Sequence, residues 1–425
     1  MSSSAQPGEA ASDAQQPSAP QVWVDPATRL VQTDFKAWLS DPHGTFRAAR
    51  ALGPLLGFAN GRGVLALRAE HVIPLMSDPR ARQIGPEIAQ YSGADIDGAY
   101  FHFAQNTLLF AHGKTHQKRR RAIAKSFHFS LMEALRAEVR ATADALAASL
   151  PEDAPFDLRD AFAAALPARV IAKILGLPEA DIPDFTARVY AMSGGLAFSV
   201  LDEDWPSIDH GAQALTEYVQ RLFAERRAAP RDDFLTRYLA MADAAGELSP
   251  DETLQQIVTL ILGGADTTRG AMTILVDLLL AHRDQWQAVV ADQSLAPGAV
   301  GEALRFEPSV GSVGVIPLET IEVGGIPVPP GMPLGLSTMS AMRDPEVYAD
   351  PDRFDITRTD IPRLHPVFGG GPHRCLGEAL AKVELEEGLK AIAARFPDLR
   401  ADGPRLRVSG VGGIRKVGKL LLRGA

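Results

Sequence analysis

Cysteine is almost missing from this 425-residue chain, in which Cys375 stands alone. A single thiol excludes an internal disulfide and any metal site built from several cysteines. It also fits a reducing compartment, so the protein is expected in the cytoplasm. Long apolar runs are missing too. The most apolar stretch, Ile257 to Ala265, is followed by Asp266 and Arg269 and falls short of the roughly 18 to 20 residues a spanning helix needs, so no membrane segment is expected. Positive charge is in deficit, and a net charge of -9 argues against general affinity for nucleic acid. The first twenty residues have neither a basic flank nor an apolar core. They read as a disordered tail, set at residues 1–25, ahead of one domain over 26–425. What is present, 46% hydrophobic and 22% charged residues, is enough to bury a large core, and a monomer is the expected state.

Length alone would divide the chain into two or three domains unless one element crosses all of it. Such an element is legible. At "SPDE", Ser249 can cap, Pro250 suits the first helical position and Glu252 completes a capping box, and the helical pattern then runs to about His282. Between Ile257 and Ala281 the charged residues are Asp266, Arg269 and Asp277, so most of this helix must be buried. From Asp34 to about Pro297 leucine, valine and alanine recur at helical spacing, with strand-like alternation near Gly63 to Leu67. Leu131, Leu135, Val139, Leu146 and Leu150 mark one face of a helix that Pro151 ends. Beyond Arg305 proline and glycine become frequent, and "TIEVGGIPVPPG" reads as a hairpin. A further helix is expected from Leu376 to about Phe396, with Ala381, Leu385, Leu389, Ile392 and Phe396 on one face. The fold class is therefore mainly α with small β-sheets (α+β), gathered round one long central helix.

The lone cysteine lies in "FGGGPHRCLG", Phe368 to Gly377, where that last helix begins. A helix start favours thiolate over thiol. Gly369, Gly370 and Gly371 let the backbone turn tightly and approach a large flat group. A buried, inert thiol is the commoner fate of a lone cysteine. A nucleophile would have to pair with His373 in the same loop, whereas catalytic histidines usually come from elsewhere in a fold. A phosphate loop would need a Gly-Lys-Ser/Thr that is not there. An activated thiolate can also serve as the axial ligand of haem iron.

Written as Phe-Gly-x-Gly-x-His-x-Cys-x-Gly, the decapeptide resembles the haem-binding signature of the cytochrome P450 family at every fixed position. Three further motifs occur in that family's order, so the resemblance covers Pro26 to the C-terminus. It implies a cytochrome P450 catalytic domain over 26–425, with haem b between the long helix and the cysteine-loop helix. Cys375 would be the iron ligand, with Phe368, Gly369 and Gly264 against the cofactor. "GGADTT", Gly263 to Thr268, has two glycines that weaken and would kink the helix. It resembles the family's oxygen-binding groove, in which Asp266 and Thr267 match the acid and alcohol that deliver protons during oxygen activation. "EALR" supplies Glu302 and Arg305, and "DPDRFD" supplies Arg353 as the third member of a buried structural network. In "HGKTHQKRRRAIAKSF", His116 and Arg120 match the helix that holds the haem propionates, and His373 is a further propionate partner. Lys114, Lys118, Arg119, Arg121 and Lys125 extend a basic run where, by the same resemblance, an acidic ferredoxin or flavodoxin would dock.

The implied activity is a soluble bacterial-type monooxygenase. It takes electrons from NAD(P)H through a ferredoxin or flavodoxin and its reductase, and inserts one atom of O2 into a small organic molecule. A peroxide-dependent or non-oxygenating haem-thiolate enzyme is the alternative within the same chemistry, and a haem-based sensor or carrier the alternative outside it. The sequence departs from the family after "EALR", where Gly314 and Val315 stand at the usual place of a propionate-binding arginine. No Lys, Arg or His occurs from Phe306 through Met342. "FAHGKTH" also lacks the Asp-Pro-Pro that often precedes the propionate histidine. For the substrate pocket the resemblance points to Tyr100, Phe101, Phe103, Phe198, Val310 and Val313. Two segments expected to roof it, Ile84 to Ala111 and Val189 to Gln220, contain no Lys or Arg. A carboxylate there would lose hydration without gaining a cation. The expected substrate is therefore neutral and largely apolar, of terpenoid, steroid or alkyl-aromatic type, with tyrosine hydroxyls or His102 orienting any polar group.

Overall fold

Ser249 opens the longest helix, Pro250–Ala281, with a complete capping box. Its hydroxyl accepts from the Glu252 N–H at 3.1 Å, and the Glu252 carboxylate accepts from the Ser249 N–H at 3.0 Å. The computed structural model describes residues 21–58, 61–124, 135–197 and 200–424. Within them this helix spans roughly 48 Å at 1.5 Å per residue. Ile257, Val258, Ile261, Leu262, Ala265, Met272, Leu275, Val276 and Leu279 are all buried, as the scarcity of charge along it predicts. The expected kink is not found as a break, since the helix continues as α through Gly263 to Thr268. Helices Ala165–Ile174, Ile182–Ser193, Trp205–Ala228, Ala296–Phe306 and Glu378–Arg395 pack around it and share one apolar core.

Strands Val22–Val24, Val31–Thr33, Leu55–Gly57, Val64–Ala66, Leu334–Ser337, Ser312–Pro317 and Ala81–Gln83 form, in that order, a seven-stranded sheet. It carries separate apolar clusters, one around Leu55, Val64, Val315 and Leu334 and another around Val31, Trp38 and Phe46. The first strand lies inside the expected tail 1–25, because Val22–Val24 pairs with Val31–Thr33 and orders the chain before Pro26. The hairpin expected at "TIEVGGIPVPPG" is present as Ile321–Val323 with Ile326–Val328. Gly324 and Gly325 both have positive φ, 58° and 76°, as a two-residue turn of this kind requires. Among the described residues no helix is long and apolar enough to cross a membrane. Lys125, Leu131 and Phe198 lie outside the described residues.

One expected assignment is corrected near the end of helix Ala296–Phe306. Glu302 and Arg305 form a fully buried pair, with Nε and Nη2 donating at 2.6 and 2.8 Å. The further arginine at Glu302 is Arg358, with Nε 3.2 Å away and a side chain 6% exposed. Arg353, expected there, is 69% exposed and faces Asp355. It gives the network its carbonyl, which accepts from Arg305 at 3.2 Å. The loop turns at Asp350, where φ is positive, and the Arg353 N–H bonds back to the Asp350 carbonyl. That turn directs the Arg353 side chain outward and brings a later residue into contact.

Candidate functional site

The cysteine loop is built on backbone. The Cys375 N–H donates to the Phe368 carbonyl at 2.9 Å, closing the glycine-rich segment. Gly369 and Gly371 have φ of 72° and 55°, which glycine adopts without strain. Gly370 and Gly371 lie so close to Met76 and Ser77 that a Cβ would fall 3.0 and 2.9 Å from their atoms. The loop is thereby pressed flat against the chain leading to strand Ala81–Gln83. Arg374 donates to the Gly369 carbonyl at 2.8 Å and pairs with Glu378 at 2.6 Å, tying the loop to the helix that starts there.

The sulfur combines two properties. Cys375 has exposed surface, yet burial pushes its thiol pKa up, against the Gly377 N–H and the nearby Arg120 and Arg374 charges. Both hold if the sulfur opens on a space enclosed by the fold. The helix start alone therefore does not make it a thiolate, contrary to the expectation from sequence. A coordinated metal would deprotonate it outright. Gly263 shows related geometry, because it is exposed on an otherwise buried helix and a Cβ there would meet nothing within 4 Å.

On the same helix the Thr267 hydroxyl donates to the Gly263 carbonyl at 3.0 Å, filling the i−4 acceptor where the two glycines lie. Asp266 is raised in pKa by burial, which outweighs its ion pair with Arg269 and a hydrogen bond from Ser193. The Arg269 guanidinium lies 4.1 Å over the Tyr190 ring. Next to this pair is an acid that the motif reading missed. Glu384, on the cysteine-loop helix, is fully buried, approached by the Thr268 hydroxyl, and raised by burial to about 8. Its Oε1 has no hydrogen-bond partner. The signal was in the helical spacing, which places Glu384 in line with Leu380, Gly388 and Ile392.

A cluster of basic groups stands beside the sulfur. The rings of His116 and His373 have centroids 3.9 Å apart, and His112 faces His373 at 6.4 Å. Burial first, then the neighbouring Arg120 and His112, lower His116 to about 4. Burial first, then His116, His112 and Arg120, lower His373 to about 4. Buried His116 has an Nε2 without any hydrogen-bond partner, and the Arg120 charge bears on Cys375. An orphaned imidazole nitrogen next to an arginine fits a carboxylate of haem b.

Among the described residues the basic run divides between inward and outward positions. In helix Gly113–Ala124, Arg119 turns inward, pairing with Glu252 at 3.1 Å and donating to the Gln105 and Thr107 carbonyls. Lys118 shares Glu252, and Arg121 meets Glu247 at 3.0 Å. At about 3.6 residues per turn consecutive cations spread round the helix, leaving Lys114 and Arg121 on the outside. The expected pocket residues also divide. Tyr100 and Phe103 have 1% and 0% exposure and pack with Trp205 in the core, so they back the wall and do not line it. Phe101, Val310 and Val313 keep open surface, and Val310 bridges Ile414 near the C-terminus.

The sequence matches the family model for Cytochrome P450 over residues 89–397. It is 41% identical over 384 residues to the plant-inducible cytochrome P450-pinF1 of Rhizobium radiobacter, covering 90% of each chain. To nocardicin C N-oxygenase of Nocardia uniformis subsp. tsuyamanensis it is 33% identical over 393 residues, covering 88% of this chain and 94% of that one. The crystal structure of CalO2 superposes with a TM-score of 0.83 at 26% identity, over 92% of this chain and 98% of the other. Haem is accordingly the cofactor, and O2 and electrons derived from NAD(P)H through partners are what it works with. The glycine-cradled cysteine is thus met by agreement in sequence and in fold along nearly the whole chain, which belongs to the cytochrome P450 family of monooxygenases.

Proposed function

We propose that this enzyme oxygenates a neutral, largely apolar small molecule, with Cys375 as the iron ligand and His116, Arg120 and His373 holding the haem propionates. The observation that carries the reading is the Cys375 sulfur, cradled by glycines and open to a space that still desolvates it. Haem supplies the iron at which O2 is reduced and an oxygen atom is passed to a C–H bond or double bond. The chain's own residues supply protons and exclude charge. Thr267 Oγ1 stands where the helix exposes Gly263, and it hands on protons held by Asp266. Arg269, held over the Tyr190 ring, pairs with Asp266 and keeps it in place. Electrons enter from a ferredoxin or flavodoxin, for whose acidic surface Lys114 and Arg121 remain outside.

The neutral substrate follows from the lining. Phe101, Val310 and Val313 offer apolar surface, the two roofing segments lack Lys and Arg, and the Arg269 charge is already matched by Asp266. Relatives include a vitamin D(3) 25-hydroxylase from Pseudonocardia autotrophica, 31% identical over 366 residues, whose named substrate is of this neutral kind. Spectral titration with matched pairs of neutral compounds and their carboxylates tests the reading. Neutral members are expected to bind more tightly by roughly tenfold or more, given the cost of an unpaired buried charge. Tighter binding of fatty acids or benzoates would refute it.

A further inference from the structure

We propose that Arg82, on strand Ala81–Gln83, binds a haem propionate and supplies from that strand the cation that strand Ser312–Pro317 lacks. This rests on the reading of His116, Arg120 and His373 as the propionate end of the haem. Haem b carries two carboxylates, and a carboxylate in a partly buried site needs charged or well-aimed donors. Strand Ser312–Pro317 provides none, since no Lys, Arg or His occurs between Phe306 and Met342. The neighbouring strand does. Its antiparallel register sets Arg82 opposite Ile316 and Gln83 opposite Val315, and the Ile84 N–H donates to the Gly314 carbonyl at 3.1 Å. Arg82 therefore stands one pair beyond Val315 and two beyond Gly314, and the alternation of the strand puts its side chain on the Gly314 face of the sheet.

Two contacts bring this strand to the cysteine loop. Gly370 and Gly371 rest on Met76 and Ser77, a few residues ahead of Ala81. On the other side, His112 feels the Arg82 charge, and its ring faces that of His373. Arg82 is 30% exposed and pairs with Glu87 at 2.7 Å, while its Nη1 donates to the Gln83 carbonyl at 3.1 Å. Glu87 in turn accepts from the Gly85 N–H at 3.2 Å, which anchors that pair in the loop. A guanidinium has five N–H donors in a planar fork, so these contacts leave donors for a second carboxylate.

Arg82→Gln and Arg82→Lys, with Glu87→Gln as a control, test the assignment through haem release to excess apomyoglobin. Loss of a charge-assisted hydrogen bond is expected to make release from Arg82→Gln roughly tenfold faster or more. Arg82→Lys should show a smaller increase, and Glu87→Gln should release at the wild-type rate. Reloading with haem dimethyl ester, which has no free carboxylate, should erase the difference between Arg82→Gln and wild type. Equal release from Arg82→Gln and wild type, or a difference that survives esterification, overturns the proposal. So does a Glu87→Gln variant that matches Arg82→Gln, since Arg82 would then act by holding the loop. A wild-type chain that takes up no haem would instead contradict the haem reading itself, so the two failures are distinct.

Discussion

Thr267 and Glu384 are hydroxyl and acid on two packed helices, and each has its own test. Thr267→Ala removes the hydroxyl that bonds the Gly263 carbonyl but leaves a good helix former. NAD(P)H consumption should persist while much of the reducing power appears as hydrogen peroxide. Unchanged coupling to product, measured as product per NAD(P)H, would count against a proton role. Glu384 is held neutral, with its pKa raised from 4.5 to about 8 by burial. Because the folded state then holds a proton that the unfolded state releases, stability falls as pH rises through that window. The slope from this one group is at most about 1.4 kcal/mol per pH unit. Glu384→Gln should flatten that part of the urea-unfolding profile and stabilise the protein most at the alkaline end. Asp266, also raised, keeps its own contribution in both proteins, so the difference isolates Glu384. Identical profiles for the two proteins would mean that Glu384 ionises normally. Cys375, Asp266 and Thr267 could be singled out from the sequence because a motif marks them. Glu384 was legible only as an acid in an apolar row, a weaker signal that a motif search passes over.

Regular elements were read more easily than loops. The long helix announced itself through Ser249, Pro250 and Glu252, and the hairpin through Gly324 and Gly325, since local backbone chemistry decides both. The partner of Glu302 was not readable, because Arg353 and Arg358 share an irregular loop in which no period says which side chain turns inward. The first strand was missed for a similar reason, as Val22–Val24 is ordered by pairing with Val31–Thr33 and not by its own pattern. Likewise, a run of cations in sequence became inward and outward residues once wound into helix Gly113–Ala124. The Glu302 network gives a direct contrast. Arg358→Ala should cost about 1 to 3 kcal/mol by taking one of two cations from a buried carboxylate that Arg305 still holds. Arg353→Ala should stay within about 0.5 kcal/mol, as surface substitutions do. Urea denaturation of both variants checks this, and a larger loss for Arg353→Ala would restore the assignment made from sequence.

Across the whole molecule, the long helix carries Asp266 and Thr267 at its middle and packs against the helix that begins beside Cys375. Met76 and Ser77, in the turn ahead of the sheet's strand Ala81–Gln83, meet that loop. The proposed cofactor site is thus assembled from segments far apart in sequence: the cysteine loop, helix Gly113–Ala124, the long helix and, by the inference above, strand Ala81–Gln83. What the sequence could not show is how the enclosed space is divided, because Tyr100 and Phe103 are apolar like Phe101 but are spent in the core. All of this depends on the sulfur of Cys375 being the protein's bond to iron. The absorption spectrum of the reduced carbon monoxide complex, taken for wild type and for Cys375→Ser, measures that bond directly. Wild type should show the long-wavelength band of thiolate ligation and Cys375→Ser should lack it while still holding haem; a band that persists without the sulfur would contradict the account.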